Sequence, residues 1–260
     1  MPSSDPWNPE QYERFRSERA QPFHDLIALI RARPGMRVID LGCGTGELTA
    51  ALATRLAEST ILGIDRSEAM LERAAARTSE RVRFARAEVA SVQDFSGYDL
   101  VLSNATLHWV PDNEALMHRI LTTLPSGGQL AIQVPRNDGH VSHRTADALA
   151  RESPWAEKLG GFVHVNQSLS AEVYSSLLCE HGCHERVVCM EKIYAHDLAR
   201  SEDVVEWLKG TLLTAYVSRL DPQDAEAFLA AYQQRLMIAL GDHRPYHYTY
   251  RRMLLWAQKG

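Results

Sequence analysis

The chain has little of several things, and each shortage excludes a class of protein. Four cysteines in 260 residues are too few for a disulfide-built scaffold. No basic run occurs, and a net charge of −5 argues against a nucleic-acid binder, which needs a positive face. No apolar stretch reaches membrane-spanning length, and the polar start MPSSDPWNPEQ has none of the apolar run of a signal peptide. The cytoplasm is the expected location. Neither an internal repeat nor a low-complexity linker is present. With 45% hydrophobic residues, the chain can bury one large core, so a single domain spanning 1–260 is expected.

Three of the four cysteines cluster in Cys179-Glu-His-Gly-Cys-His-Glu-Arg-Val-Val-Cys189, with His181 and His184 interleaved. The spacings are not those of zinc modules. Leu177-Leu-Cys-Glu-His-Gly reads as a helix end with Gly182 just past it. Reduced, partly buried thiols and no metal are expected.

The informative stretch is Met36 to Gly46, MRVIDLGCGTG. Val38, Ile39 and Leu41 form a short buried strand, the glycines turn the chain, and Leu48, Leu52 and Leu56 follow at helical spacing. A second strand, Ile61-Leu-Gly-Ile-Asp65, ends in an acid. Strand, glycine turn, helix and acid-tipped strand make half of a nucleotide-binding βαβ unit. A dinucleotide fingerprint would need glycine at position 47, which is Glu47. Asp40 and Glu47 would both repel a pyrophosphate at the helix start. They suit a phosphate-free ligand with cationic groups, and S-adenosylmethionine carries an ammonium and a sulfonium.

The remaining elements alternate along the chain. Asn8-Pro9 opens a helix with Tyr12, Phe15 and Arg19 on one face, and Pro22 is expected to begin a second, with Phe23, Leu26, Ile27 and Ile30 as its apolar stripe. Ser67 caps a helix after the second strand, with Met70 pointing inward. Val82 to Ala87 is a third strand, followed by Glu88 and Val89. Tyr98 to Asn104 is a fourth, tipped by Asn104-Ala-Thr-Leu-His-Trp109, where open α/β sheets bind ligands. Asp112 caps a helix, and Gln129 to Val134 is a fifth strand. Past it the rhythm loosens until a helix from Ala171. Strands come next at Arg186 to His196 and Tyr246 to Ala257, with helices between them over Ser201 to Leu220 and Pro222 to Leu240, opened by Ser201 and Asp221.

Trp7-Asn-Pro with Tyr12, Phe15, Arg19 and Pro22, Asp40-Leu-Gly-Cys-Gly-Thr-Gly, Gly63-Ile-Asp with Ser67 and Met70, Ser103-Asn-Ala-Thr-Leu-His-Trp, Gln133-Val-Pro and Trp207 before Gly210-Thr211 together resemble the trans-aconitate methyltransferases. The likeness keeps its order over most of the chain. It implies a Rossmann-like three-layer αβα sandwich on a mostly parallel seven-stranded sheet. Lid helices would occupy 1–33, the cofactor-binding core 34–135, a helical cap 136–185 and 198–242, and the C-terminal strands 186–197 and 245–258. The implied activity is methylation of a carboxylate of a small polycarboxylic acid by S-adenosyl-L-methionine, with S-adenosyl-L-homocysteine as product. The cofactor would meet Tyr12 and Arg19 on the lid, and Asp40, Gly42, Cys43, Gly44 and Gly46 at the turn. Further contacts would come from Asp65, Arg66 and Met70, from Glu88 and Val89, and from Asn104 and Ala105. After Gly210-Thr211 the family commonly carries Gly and then Leu-Arg-Pro, whereas this chain has Leu212-Leu-Thr-Ala-Tyr216. Arg219 is the nearby cation that could replace the missing arginine.

An ionised carboxylate needs no general base, because its reference pKa is near about 4. His108 and Trp109 are therefore expected to position the reactants at the strand tip. Gln133 and Asn137 are neutral donors for carboxylate oxygens. Arg136, His140, Arg219, Arg251 and Arg252 are the candidate cations, with Trp207 and Tyr216 beside the acceptor. Arg251 and Arg252 point to opposite faces of the last strand. The partner is a small carboxylic acid, with no nucleic acid or membrane, acting on a monomer or weak dimer. A phenol, amine or carbon acceptor, a non-catalytic S-adenosylmethionine binder and a nicotinamide-dependent reductase are the alternatives.

Overall fold

A computed structural model describes residues 16–184 and 187–260, with side chains from Ala20 onward outside that gap. The expected helix start at Asn8-Pro9, and the residues Tyr12 and Phe15, lie outside the described residues. Contacts divide the chain into two compact units. Among the described residues, the sheet unit comprises Arg19–Pro135, Gln167–Lys192 and Arg251–Gly260, and the helical unit is built on Arg136–Asn166 and Ile193–Tyr250.

One seven-stranded sheet carries the strands β1 (Arg37–Leu41), β2 (Thr60–Asp65), β3 (Val82–Arg86), β4 (Leu100–Asn104), β5 (Gln129–Pro135), β6 (Val187–Leu198) and β7 (Tyr246–Gln258). Their order is β3-β2-β1-β4-β5-β7-β6. Strands β1 to β5 are parallel, and β7 runs antiparallel to β5. Chain order reverses between β1 and β4, which is where such sheets open a ligand crevice beyond the strand C-termini.

In the sheet unit, α1 (Arg16–Leu29) runs straight through Pro22. The expected break there does not occur. Losing one backbone bond in a helix costs about 3 kcal/mol. Burial of Phe23, Leu26 and Ile27, each at most 6% exposed, outweighs it. Next come α2 (Glu47–Arg55), α3 (Glu68–Ala75) and α4 (Asn113–Thr123). Ser67 caps α3 by accepting the Met70 N–H at 3.1 Å, and Asp112 caps α4 through the Ala115 N–H at 3.4 Å. The core joins Ile39, Leu41, Val101, Leu130 and Ile132 of the strands to Leu116, Met117 and Ile120 of α4.

The loosened segment after β5 holds two further helices, α5 (Val141–Ala150) and α6 (Trp155–Lys158), before α7 (Ala171–Glu180). The expected single helix over Ser201 to Leu220 is two, α8 (Asp203–Lys209) and α9 (Leu212–Val217). Gly210 closes α8, and Thr211 sits outside helical dihedrals at φ −143° and ψ −106°. Ser201 does not cap α8; its Oγ accepts the His243 N–H at 3.1 Å. Helix α10 (Pro222–Leu240) does start as expected, with Asp221 accepting the Asp224 N–H at 2.8 Å. Trp155, Trp207, Tyr216, Phe228, Tyr232, Tyr248 and Tyr250 form an aromatic core of the helical unit. Among the described residues no helix is long and apolar enough to cross a membrane.

Candidate active site

The site is built on the tips of β1, β2 and β4. Asp40 is 3% exposed and its Oδ2 accepts from Thr49 Oγ1 of α2 at 2.6 Å. Burial raises its pKa to about 7, Thr49 lowers it, and the nearby Asp65 charge raises it further. A desolvated carboxylate in that state gains most from a cation brought beside it. Cys43, buried next to it, is pushed up by the same desolvation and stays a neutral thiol.

The three glycines of the turn do different jobs. At Gly42, with φ +81°, a Cβ would lie 2.0 Å from Thr106 Oγ1, so this glycine lets β1 meet the β4 tip. At Gly46 a Cβ would meet the Phe84 ring at 2.5 Å. At Gly44, with φ +55°, nothing stands within 4 Å, and open space remains beside the backbone. Its N–H donates to Asp65 Oδ2 at 2.9 Å, while Ser67 N–H donates to Asp65 Oδ1 at 2.9 Å. Asp65 therefore pins the turn as well as standing at the β2 tip.

The β4 tip is held with equal care. Ala105 takes a left-handed φ of 54°, unusual for a residue with a Cβ, and its N–H donates to Gln133 O at 2.8 Å. A single 3-10 turn, Leu107–Trp109, comes next. Asn113 Nδ2 donates to Leu107 O at 2.8 Å, and Tyr174 OH donates to Asn113 Oδ1 at 2.9 Å. His108 is 7% exposed and its ring lies 4.9 Å from that of Trp109. Asn104 and Gln133 pair across β4 and β5. Asn104 Oδ1 and Gln133 Nε2 are both buried without a hydrogen-bond partner among the described residues. Buried polar atoms are almost always satisfied, so these two atoms have hydrogen-bonding capacity left over.

An acid that wants a cation, an open glycine, an acid at the next strand tip and two amides with one unspent atom each fit a zwitterionic nucleoside cofactor. A family profile described as a methyltransferase domain matches residues 32–192. The trans-aconitate 2-methyltransferase of Deinococcus radiodurans is 42% identical over 260 residues, covering 97% of this chain and 98% of its own. The chain belongs to the trans-aconitate 2-methyltransferase family. A second member, from Variovorax paradoxus, is 40% identical over 88% of each chain. Among solved structures, the YcgJ protein of Bacillus subtilis aligns with a TM-score of 0.60 at 15% identity, over 92% of this chain and 98% of its own. At that identity the likeness speaks for the fold.

The other residues expected to serve a member of this family are divided between the two units. In the sheet unit, Met70 and Val89 are buried, while Arg66 and Glu88 are exposed. The side chain of Arg19 lies outside the described ones. Within the helical unit, Asn137 is 6% exposed and donates to Tyr248 OH at 3.4 Å. His140 caps α5, its Nδ1 accepting the Ser142 N–H at 3.2 Å. Burial and then the Arg144 charge lower its pKa, so it is neutral at pH 7 and is not a cation there. Trp207 is 1% exposed, packed against His196, Tyr248 and Tyr250. Tyr216 OH donates to Asp147 Oδ1 at 2.7 Å and accepts the His164 N–H at 3.1 Å. Arg219 is exposed, its guanidinium 3.7 Å above the Phe162 ring, and Arg136 is half-buried. Thr49, Asn113 and Tyr174 complete the strand tips through side-chain hydrogen bonds that no local sequence pattern signals, while Thr106 lies within the Asn104 to Trp109 stretch.

Proposed function

We propose that this protein transfers a methyl group from S-adenosyl-L-methionine to one carboxylate of trans-aconitate, as a monomer or weak dimer in the cytoplasm and without a metal. The observation that carries the reading is the intact acidic glycine turn, Asp40 to Gly46 with Asp65, in a chain 42% identical to a trans-aconitate 2-methyltransferase over 97% of its length. When bound, the cofactor supplies a methyl already activated by its sulfonium. The chain's own residues bind and align. Asp40 takes the cationic end, Gly44 lets the ligand approach the backbone, and Asp65 takes the ribose hydroxyls. Glu88 and Val89 serve the adenine, and Asn104 accepts from the ligand through Oδ1.

Gln133 donates Nε2 to a carboxylate of the acceptor other than the one methylated. The carboxylate to be methylated is ionised at neutral pH, so no side chain has to remove a proton, and His108 and Trp109 position rather than act as base. Keeping water out of the strand tips raises the value of each electrostatic contact. The sequence expectation that Arg136, Asn137, His140, Trp207, Tyr216 and Arg219 serve the acceptor is part of the proposal and is tested by alanine substitution one residue at a time. So are Tyr12 and Arg19 as lid residues.

The deciding assay is methyl incorporation from labelled S-adenosylmethionine into trans-aconitate, with the ester identified by mass spectrometry, beside a panel of phenols and amines. His108→Ala should slow a carboxylate acceptor less than about tenfold, against about 100-fold or more for a phenol needing a base. Methylation of a phenol or amine with none of trans-aconitate would overturn the reading.

A further inference from the structure

With trans-aconitate as the acceptor, an enzyme that methylates one carboxylate of a tricarboxylic acid must hold the others. A carboxylate withdrawn from water needs a cation in the protein, best a guanidinium. Among the described residues, Arg252 is the one lysine or arginine that is buried, at 7% exposure. Its neighbour Arg251 is exposed, with Nη1 3.7 Å from Glu191.

Register fixes where Arg252 sits. It pairs with Pro135, and Leu254 pairs with Gln133, across β7 and β5. Directly paired residues share a face of the sheet, as do residues two apart on one strand. Arg252 and Gln133 are therefore diagonal neighbours on one face. Asn104 pairs with Gln133, and Asp40 pairs with Leu102, so both belong to that face as well. The buried cation thus lies on the sheet face that carries Asp40 and Asn104, one row beyond Gln133 and beside the C-terminal tip of β5.

The second observation is on β5 itself, which carries two buried glutamines on that face. Gln129, at its start, accepts from Arg31 N–H at 2.9 Å and Trp256 Nε1–H at 3.0 Å, and donates to Arg31 O at 2.8 Å. Gln133, at the other end, keeps Nε2 buried without a partner among the described residues. One glutamine is wholly occupied with structure, while the other offers a donor next to Arg252. A guanidinium has five donors in a planar fork, so it can serve a protein acceptor and still present an edge to a carboxylate.

Resting on the trans-aconitate reading of the acceptor, we propose that Arg252, with Gln133, anchors a carboxylate that is not methylated. It thereby sets a preference for polycarboxylates over monocarboxylic acids. The test uses the full chain as wild type, Arg252→Lys and Arg252→Met. Rates are measured with trans-aconitate and with di- and monocarboxylates of the same unsaturated skeleton, alongside calorimetric S-adenosylmethionine affinity and thermal stability. Arg252→Lys keeps the charge and loses the fork, so KM for trans-aconitate should rise about tenfold, and Arg252→Met should raise it about 100-fold. Cofactor affinity should stay within about twofold, and the preference for tri- over monocarboxylate should collapse in the Met variant. If the Met variant does not fold, the Lys variant decides. An unchanged KM and preference overturns the inference, as does a KM rise that tracks lost cofactor affinity and lost stability. A wild type that methylates other compounds but no polycarboxylate overturns the acceptor reading, and the inference with it.

Discussion

The sharpest consequence of the site is a proton coupled to cofactor binding at Asp40. Its carboxyl is raised from 3.8 to about 7 by burial, against the Thr49 hydrogen bond. A cationic ligand pulls that value down, so binding below pH 7 must expel a proton. If only the carboxylate form binds, the ionised fraction falls from about 0.9 at pH 8 to about 0.1 at pH 6, and Kd rises about tenfold. Calorimetry in two buffers of different ionisation enthalpy should report about one proton released at pH 6, falling to about half a proton at pH 7. The ligand's own amino group titrates near about 8, so the Asp40 slope is read below that pH. Thr49→Val removes a donor to the charged form and should move the midpoint up by about one pH unit. Asp40→Asn should bind weakly and lose the slope.

The same group governs the stability of the unliganded protein. A carboxyl whose folded pKa is raised adds stability that is fully present below 3.8 and lost as pH rises through about 7. The span corresponds to about 4 kcal/mol at most. Denaturation of wild type should therefore become easier from pH 5 to 8 relative to Asp40→Asn. A Kd that is flat from pH 6 to 7.5, or a slope that survives in Asp40→Asn, would refute the coupling.

Two glycines and a tryptophan separate packing from binding. Gly42→Ala would drive a Cβ to 2.0 Å from Thr106 Oγ1 and should cost about 3 kcal/mol or more, read as a lowered midpoint in urea. Gly44→Ala meets nothing within 4 Å, so it should cost only about 1 kcal/mol of strain while weakening S-adenosylmethionine binding more than about tenfold. Trp207→Ala should lose about 3–5 kcal/mol of stability, since the ring is 1% exposed within an aromatic core. An unchanged denaturation midpoint together with a raised acceptor KM would instead make Trp207 a binding residue.

Much of the scaffold is legible in local pattern. The apolar run Val38 to Leu41, the glycines and Asp65 lie close together in sequence, and their order alone specifies strand, turn, helix and acid. Capping by Ser67, Asp112 and Asp221 is equally legible, because each cap bonds a backbone N–H three residues on. Where local rules mislead, tertiary burial overrules them. Pro22 stays inside a helix because the stripe around it is buried, and Ser201 is spent on His243 instead of on a helix start.

The family and the kind of ligand are already written in the chain, since a glycine turn flanked by Asp40 and Glu47 disfavours a pyrophosphate. The work of each residue there emerges only on folding. Gly42 answers to Thr106, Asp40 to Thr49 and Ala105 to Gln133, while strand register sets Arg252 on the face of Gln133. Hydrogen bonding, desolvation and register depend on partners brought from distant parts of the chain, and no local pattern carries their identity.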